Sequence, residues 1–213
     1  MAQVIVNRGP GVDAYVQTEG HKTCLRPERC PLCGAVGSLR GHGYYPRKPK
    51  GLGRDVKLWI KRWRCKVCRR TTSCLPCFVL PFRHYVLVFI QLVLVTRYTL
   101  ARSWAGVMSN CVGGEGLHVR TVRRWCKSFA TQASTWLAAV QTTLAQQDSA
   151  SPWLDAQGEA LHAPTAAQAL LTATEHWLAW AQTQWVELAP YGLANRLCAV
   201  WLWGATRGLP RLA

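Results

Sequence analysis

The chain has 213 residues, of which 49% are apolar and only 17% are charged, yet its net charge is +16. This composition excludes a disordered tail and provides enough apolar residues for the core of one or two domains. The charge is uneven, because residues 1–127 contain 23 Lys and Arg against 5 Asp and Glu, whereas residues 128–213 contain 3 against 5. We therefore expect a polyanionic partner for the first part, nucleic acid before a membrane surface.

The apolar segments predict no membrane span. The first residues lack the sustained apolar core of a signal peptide, and the longest apolar run, at 85–96, is shorter than the roughly 20 residues that a bilayer requires. A buried helix is the better interpretation of that run. Ten cysteines without a secretory signal favour metal binding over disulfides. We expect a reducing compartment, the cytoplasm, with the protein associated with the nucleoid.

Four cysteines have the spacing of a metal site. They form two C-x2-C pairs, Cys30 with Cys33 and Cys65 with Cys68. Two tight turns that face each other would complete a tetrahedral four-sulfur Zn2+ site. Gly34 suits the position after the first pair, where the backbone often needs a positive φ, while Arg69 is less comfortable after the second. The alternatives are four reduced cysteines without a metal, and an iron–sulfur or redox site.

The segment between the pairs predicts a β-hairpin. Residues 56–64 alternate, with Val56, Leu58 and Ile60 on one face and a basic, aromatic set on the other. Two cysteine turns linked by short strands make a zinc ribbon. Its basic residues are the expected phosphate contacts: Arg47, Lys48, Lys50, Arg54, Lys57, Lys61, Arg62 and Arg64.

The remaining cysteines are less informative. Cys74 and Cys77 form a third C-x2-C pair, and a second zinc remains an alternative, with ligands from Cys24, His21, His42 or His84. His42 could also be packed or face a phosphate. Small core residues are the better interpretation of Cys111, Cys126 and Cys198.

After Pro81 the apolar pattern becomes helical, with helices predicted at 84–98 and 99–108. A glycine-rich break at 109–117 precedes a third helix that begins at His118 and reaches about residue 146. Helix, glycine-containing turn and basic helix are typical of a helix-turn-helix. Its candidate base contacts are Arg120, Thr121 and Arg124, and its candidate phosphate contacts are Arg123 and Lys127. The alternative is an ordinary amphipathic helix with a solvated basic face.

An apolar stripe continues along the third helix through Phe129, Ala133, Trp136, Val140 and Leu144. Either C-terminal helices or a second protomer must cover it. A loop at 149–164 and two further helices, at 165–188 and 191–206, follow. Their tryptophans predict a core: Trp177, Trp180, Trp185, Trp201 and Trp203. These helices would bind a partner of the transposition machinery or form a homodimer.

Three motifs together resemble the N-terminal zinc ribbon of bacterial insertion-sequence transposases and related mobile-element proteins. They are Cys30-Pro-Leu-Cys33-Gly34, Gly41-His-Gly-Tyr44, and the run from Arg62 to Thr71 around the second cysteine pair. Leu75-Pro76 and Phe82-Arg-His-Tyr85 match the segment that follows such ribbons. The resemblance covers about residues 28–85, and more loosely residues up to 130. It implies that the four cysteines bind zinc and that the ribbon and helix-turn-helix bind double-stranded DNA at element ends.

A transposase also needs a nuclease domain with three carboxylates that hold two metal ions. Only five carboxylates follow the basic helix, in helical, Trp-rich sequence: Asp148, Asp155, Glu159, Glu175 and Glu187. We therefore expect a DNA-binding protein without catalysis. An enzyme with a cysteine nucleophile is disfavoured, because Cys111 and His118 form no recognisable motif.

The predicted fold is a small β zinc ribbon followed by a mainly α-helical region. Its parts are an N-terminal extension at 1–23, the ribbon at 24–80, a helix-turn-helix-like unit at 81–147 and C-terminal helices at 148–213. The main rival function is an RNA-binding or protein-docking ribbon, in which Trp59 and Trp63 beside Lys57 and Lys61 stack on unpaired bases.

Overall fold

The computed structural model describes residues 2–7, 9, 11–111, 116–147 and 165–213. Within them, a four-stranded mixed sheet precedes a mainly helical region, which confirms the coarse prediction. The predicted loop at 149–164, part of the glycine-rich break and three carboxylates (Asp148, Asp155 and Glu159) lie outside the described residues.

The sheet has the strand order β1-β4-β3-β2. Strands β2 (Leu39–Arg47), β3 (Leu58–Cys65) and β4 (Thr71–Pro76) pair antiparallel, while β1 (Ala2–Val6) pairs parallel with β4. The segment expected as an N-terminal extension therefore supplies an edge strand of the sheet.

The alternation predicted for β3 is confirmed. Leu58 and Ile60 are fully buried, whereas Trp59 between them is 40% exposed. The other three strands are less regular, since β4 is buried along nearly its whole length and β2 contains a bulge between Gly41 and Tyr44. The sheet thus has an inner face against the main core and an outer face that is partly open to solvent.

Six α-helices lie in the described part of the chain. They are α1 (Val12–Gln17), α2 (Leu87–Leu94), α3 (Trp104–Asn110), α4 (Val119–Gln147), α5 (Ala166–Gln184) and α6 (Arg196–Thr206). Shorter turns join them: a π-helical turn Val95–Thr99 and 3-10 turns Val186–Leu188 and Leu193–Asn195. No helix in the described ranges is long and apolar enough to cross a membrane.

The first two predicted helices begin later than their apolar pattern indicates. The backbone N–H of Lys50 donates a hydrogen bond to the carbonyl of His84, and Val86 donates one to the carbonyl of Lys50. Val86, before α2, is extended, with φ −67° and ψ 149°. Ala101 then adopts a left-handed φ of 50°, which a helix interior does not accept. The next helix begins only after Ser103, whose side chain accepts a hydrogen bond from the backbone of Gly106 and caps α3.

The apolar stripe of α4 is buried within the chain. Helix α5 packs along α4, and Trp136 contacts Trp201 and Trp203 of α6 at ring-centroid distances of 6.2 and 6.5 Å. The Trp136 indole also donates a hydrogen bond to the carbonyl of Pro210. The C-terminal helices, and not a second protomer, therefore bury this stripe in the structure.

One hydrophobic core extends from α1 through β3 and β4 to α6. Leu58 and Leu75 of the sheet belong to the same buried cluster as Leu87 of α2 and Trp125 of α4. The predicted boundary at residue 80 therefore separates strands from helices but does not separate two cores. A second, much smaller cluster lies at the cysteine-bearing end of the sheet, with Cys30, Leu39 and Cys65 at its centre.

Candidate metal centre and nucleic-acid interface

The four cysteines of the two C-x2-C pairs meet at one end of the sheet. Their sulfur atoms all lie within 4.8 Å of one another, a group that could hold a metal ion. The Sγ atoms of Cys30 and Cys68 are 3.8 Å apart, as are those of Cys33 and Cys65. Cys30 and Cys65 are buried, while Cys33 is exposed, so the centre lies at the surface.

Two similar backbone turns present these sulfurs. Gly34 donates a backbone hydrogen bond to Cys30 and has φ +73°, and Arg69 has φ +62° at the matching position of the second turn. The left-handed conformation expected after each pair is therefore present in both turns. Arg69 carries a Cβ in a region that favours glycine.

Hydrogen bonds among the four thiols and to the backbone shift the pKa values of the cysteines in opposite directions. Ser38 donates to or accepts from Cys65 at 3.2 Å, and this contact, with backbone N–H groups, lowers the pKa of Cys65 to about 6. Backbone hydrogen bonding from Leu32 lowers the pKa of Cys30. The backbone of Arg70 also favours the Cys68 thiolate, but burial and the neighbouring thiols outweigh it and raise the pKa of Cys68 to about 11. Thiolates are the metal-binding form of cysteine, so these contacts prepare part of the ligand set.

The other cysteines do not join a second group of this kind within the described residues. Cys77 lies 3.1 Å from the Tyr191 hydroxyl, which in turn donates to Asn7, in the interior between the sheet and the C-terminal helices. Cys126 and Cys198 are buried in the main core and Cys111 is half-buried against it, as expected of small core residues.

The eight basic residues predicted as ribbon phosphate contacts differ in solvent exposure and in their hydrogen-bond partners. Five of them have exposed side chains: Lys48, Lys50, Arg54, Lys57 and Arg64. Arg54 pairs with Asp13, and Arg47 is half-buried, with its guanidinium hydrogen-bonded to the carbonyls of Leu80 and Arg83. Burial lowers the pKa of Arg47, which is part of the junction between sheet and helices.

A basic cavity beside the cysteine centre was not predicted as a site. It is open, has a volume of about 440 Å³, and adjoins Cys65. The side chains around it are cationic or polar: Arg40, His42, Arg64, Lys66 and Arg69. In this set, Arg64 was a predicted phosphate contact and His42 was considered as one. The others were missed because a bulge in β2 and a turn after β3 bring them together from distant positions.

The basic face of α4 is exposed, and its apolar face is buried. Val122 and Trp125 are buried, while four cations of the first turns are exposed: Arg120, Arg123, Arg124 and Lys127. Thr121 is half-exposed. The His118 ring accepts a hydrogen bond from the backbone of Arg120 at 3.1 Å and so caps the start of the helix.

Further cations surround this face, and sequence reasoning missed them. Arg97 and Arg123 both lie over the ring of Trp104, at 4.7 and 5.3 Å from its centroid. Burial lowers the pKa of Arg83, and the charges of Arg211 and Arg124 lower it further. In the sequence these cations are isolated arginines far from α4, and only the fold brings their segments next to that helix.

Comparison with known families gives a match to part of the chain. A family model described as a domain of unknown function, DUF6431, matches residues 30–125. The matched range begins at the first of the four clustered cysteines and ends at Trp125 on α4, so it spans both the cysteine group and the start of that helix. No curated protein and no solved structure matches the chain.

Proposed function

We propose that this chain is a zinc-dependent DNA-binding protein, related to the DNA-recognition regions of transposases and without their nuclease. Zinc folds the cysteine end of the sheet into a ribbon, and the start of α4 enters the major groove of a duplex. The observation that carries the proposal is the basic surface around the first turns of α4.

Zinc is the favoured metal because of the ligand set and its spacing. Four Zn–S bonds of about 2.3 Å in a tetrahedron place the sulfurs about 3.8 Å apart. Two of the sulfur–sulfur separations, Cys30 to Cys68 and Cys33 to Cys65, are both 3.8 Å. Bound zinc would hold the two turns together and keep the four cysteines as thiolates. Four cysteine ligands leave no open coordination position, so the ion has a structural role in this proposal.

The surface at α4 has the charge that a duplex requires. None of the ion pairs within the described residues involves Arg120, Arg123, Arg124 or Lys127. The charges of Arg211 and Arg124 lie close enough to Arg83 to lower its pKa, so several cations are crowded beside this face. Phosphates would relieve this repulsion and release counterions from the DNA.

The arrangement of α3 and α4 supports reading by a helix-turn-helix. Helix α3 ends at Asn110 and α4 begins at Val119, with the start of α4 anchored by Trp125 against Tyr85 and Phe89. Arg120, Thr121 and Arg124 would face base edges, where arginine forms bidentate hydrogen bonds to guanine. Arg123 and Lys127 would contact the flanking phosphates, together with Arg97, whose guanidinium shares the Trp104 ring with Arg123.

The cavity lined by Arg40, Lys66 and Arg69 would contact the backbone at a second position, next to the metal centre. Removal of zinc would then weaken DNA binding through loss of these phosphate contacts, in addition to any loss of stability. A homodimer and a partner from the transposition machinery both remain part of the proposal, since either would double or position the DNA site.

The test is duplex binding by Arg120→Ala and Lys57→Ala at several salt concentrations, with the zinc-loaded chain. We expect Arg120→Ala to lose about 1–3 kcal/mol on the preferred sequence and to relax sequence preference. Lys57→Ala should weaken binding to all duplexes alike and reduce the salt slope by about 1. Equal losses on all sequences for both variants would contradict the assignment of α4 as the reading helix.

A further inference from the structure

The outer face of β2 and β3 carries aromatic rings that duplex binding by α4 does not use, next to two of the lysines proposed as phosphate contacts. Tyr44 and Trp59 are 38% and 40% exposed. The Lys57 ammonium lies 4.4 Å from the centroid of the Trp59 ring, and the Lys61 ammonium lies 4.4 Å from that of Tyr44. We call these four residues the aromatic strip.

Strand pairing fixes the geometry of the aromatic strip. Tyr44 lies opposite Lys61, and Pro46 lies opposite Trp59, so the two rings are diagonal neighbours on one face of the sheet. The His21 ring meets Tyr44 at 89°, with 5.1 Å between centroids, and holds it from the side. The two exposed rings are therefore positioned side by side rather than scattered on loops.

Trp63, the other tryptophan of β3, has a different role. It is half-buried and packs against the small cluster that contains Cys30 and Cys65. Its indole N–H is buried and has no hydrogen-bond partner among the described residues. Trp63 therefore covers the metal centre, and the aromatic strip, not Trp63, is the surface available for a ligand.

The exposed rings and ammonium groups of the aromatic strip favour a ligand that combines flat apolar groups with negative charge. Exposed aromatic rings present faces on which flat apolar groups stack, and the adjacent ammonium groups require a negative charge close to each stacked group. Neither Lys57 nor Lys61 takes part in an ion pair within the described residues. The stacked bases of a duplex do not offer their faces to a protein surface, whereas unpaired bases do.

We propose that the aromatic strip binds single-stranded nucleic acid, with unpaired bases stacked on Trp59 and Tyr44 and phosphates beside Lys57 and Lys61. On binding, each lysine exchanges its ring contact for a phosphate, and a base takes its place. This site is separate from α4, and the inference does not depend on duplex recognition.

The experiment measures anisotropy of fluorescein-labelled oligo(dT) and oligo(U), roughly 12–16 nucleotides long, with the zinc-loaded full chain. The matched variants are Trp59→Leu, which keeps apolar area but removes the ring, and Trp59→Phe, which keeps a ring. A labelled duplex is titrated in parallel. Far-UV circular dichroism and zinc content show that each variant is folded.

We expect Trp59→Leu to raise the Kd for single strands by about tenfold while Trp59→Phe stays near the wild type, with duplex affinity unchanged in both. Tyr44→Leu should behave like Trp59→Leu. Whichever polymer binds more tightly identifies RNA or DNA as the source of the unpaired bases.

The proposal is overturned if the wild-type chain does not bind either polymer, or if the Leu and Phe variants bind single strands equally well. Loss of duplex binding in Arg120→Ala with single-strand binding retained would separate the two sites. The absence of duplex binding in the wild type would contradict the function proposed for α4 and leave this site intact.

Discussion

Within the described residues, the hydrophobic cluster at the cysteine-bearing end of the sheet consists of Cys30, Leu39 and Cys65, with Trp63 and Cys68 half-buried against it. The main core, by contrast, extends from α1 to α6. A cluster of this size cannot offset the conformational entropy of the turns around it. The main core contains fully buried tryptophans, so we expect apolar packing alone to stabilise it. We therefore expect one fold to combine a region held by apolar packing with a region whose stability requires metal ligation.

The largest effect is expected from metal removal. Structural zinc contributes about 10–16 kcal/mol of apparent binding free energy in small domains. Cys65→Ser, or treatment with a chelator, should abolish zinc binding and raise hydrogen exchange at residues 30–47 and 58–70. Exchange in α5 should remain slow, because its contacts lie in the main core.

Cys111→Ser is the matched control for metal removal, since Cys111 is half-buried and lies outside the metal group. It should keep one zinc per chain and wild-type exchange. Equal protection of the cysteine end with and without metal would show that this region does not depend on metal for its stability.

Trp136→Ala should destabilise the whole chain by about 3–5 kcal/mol, because a fully buried indole leaves a cavity and an unpaired carbonyl at Pro210. Chemical denaturation followed by circular dichroism measures this loss. Trp59→Ala provides the control, and its exposed ring should cost less than about 1 kcal/mol. Similar costs for both variants would show that the helical region is not the dominant core.

Gly204→Ala probes the same packing from α6. A Cβ at this position would overlap the Trp136 indole, so we expect a loss of about 1–3 kcal/mol despite the better helix propensity of alanine. Gly192→Ala is the control, since a Cβ there meets open space. A neutral Gly204→Ala variant would mean that α4 and α6 can separate without cost.

The smallest effect is expected at the cysteine turns. Arg69→Gly should relieve a left-handed residue and stabilise the turn by up to about 1 kcal/mol, whereas Gly34→Ala should cost about 1–2 kcal/mol. Competition with a chelator measures both as changes in zinc affinity, of opposite sign. Changes of the same sign would contradict equivalent roles for the two turns.

Local patterns predicted the parts of the fold that depend on nearby residues. The two C-x2-C turns need only five residues each, and the sulfur group formed as their spacing predicts. Helix α4, predicted from 118 to about 146, extends from Val119 to Gln147 because its apolar stripe is long and continuous. The burial of Trp177, Trp180, Trp201 and Trp203 was predictable because tryptophans spaced closely along a helix usually pack into a core.

Long-range pairing accounts for what the sequence did not reveal. Strand β1 pairs with a strand about seventy residues later, Ala2 opposite Thr72, and five residues carry no signal for such a partner. The C-terminal helices are also shorter than the predicted ranges 165–188 and 191–206. Trp185 is extended, so α5 ends before it, and a 3-10 turn precedes Arg196, where α6 begins. Trp59 and Trp63 share a face and a pattern, and only packing at the cysteine centre distinguishes them.

The most direct test of the account is selection of bound sequences from a random duplex pool, with the zinc-loaded chain at near-physiological salt. We expect a recovered motif whose enrichment is lost in Arg120→Ala, and an inverted repeat with half-sites about one helical turn apart would in addition indicate a dimer. Salt-sensitive binding without any enriched sequence would contradict reading by α4, because only the phosphate contribution would then remain.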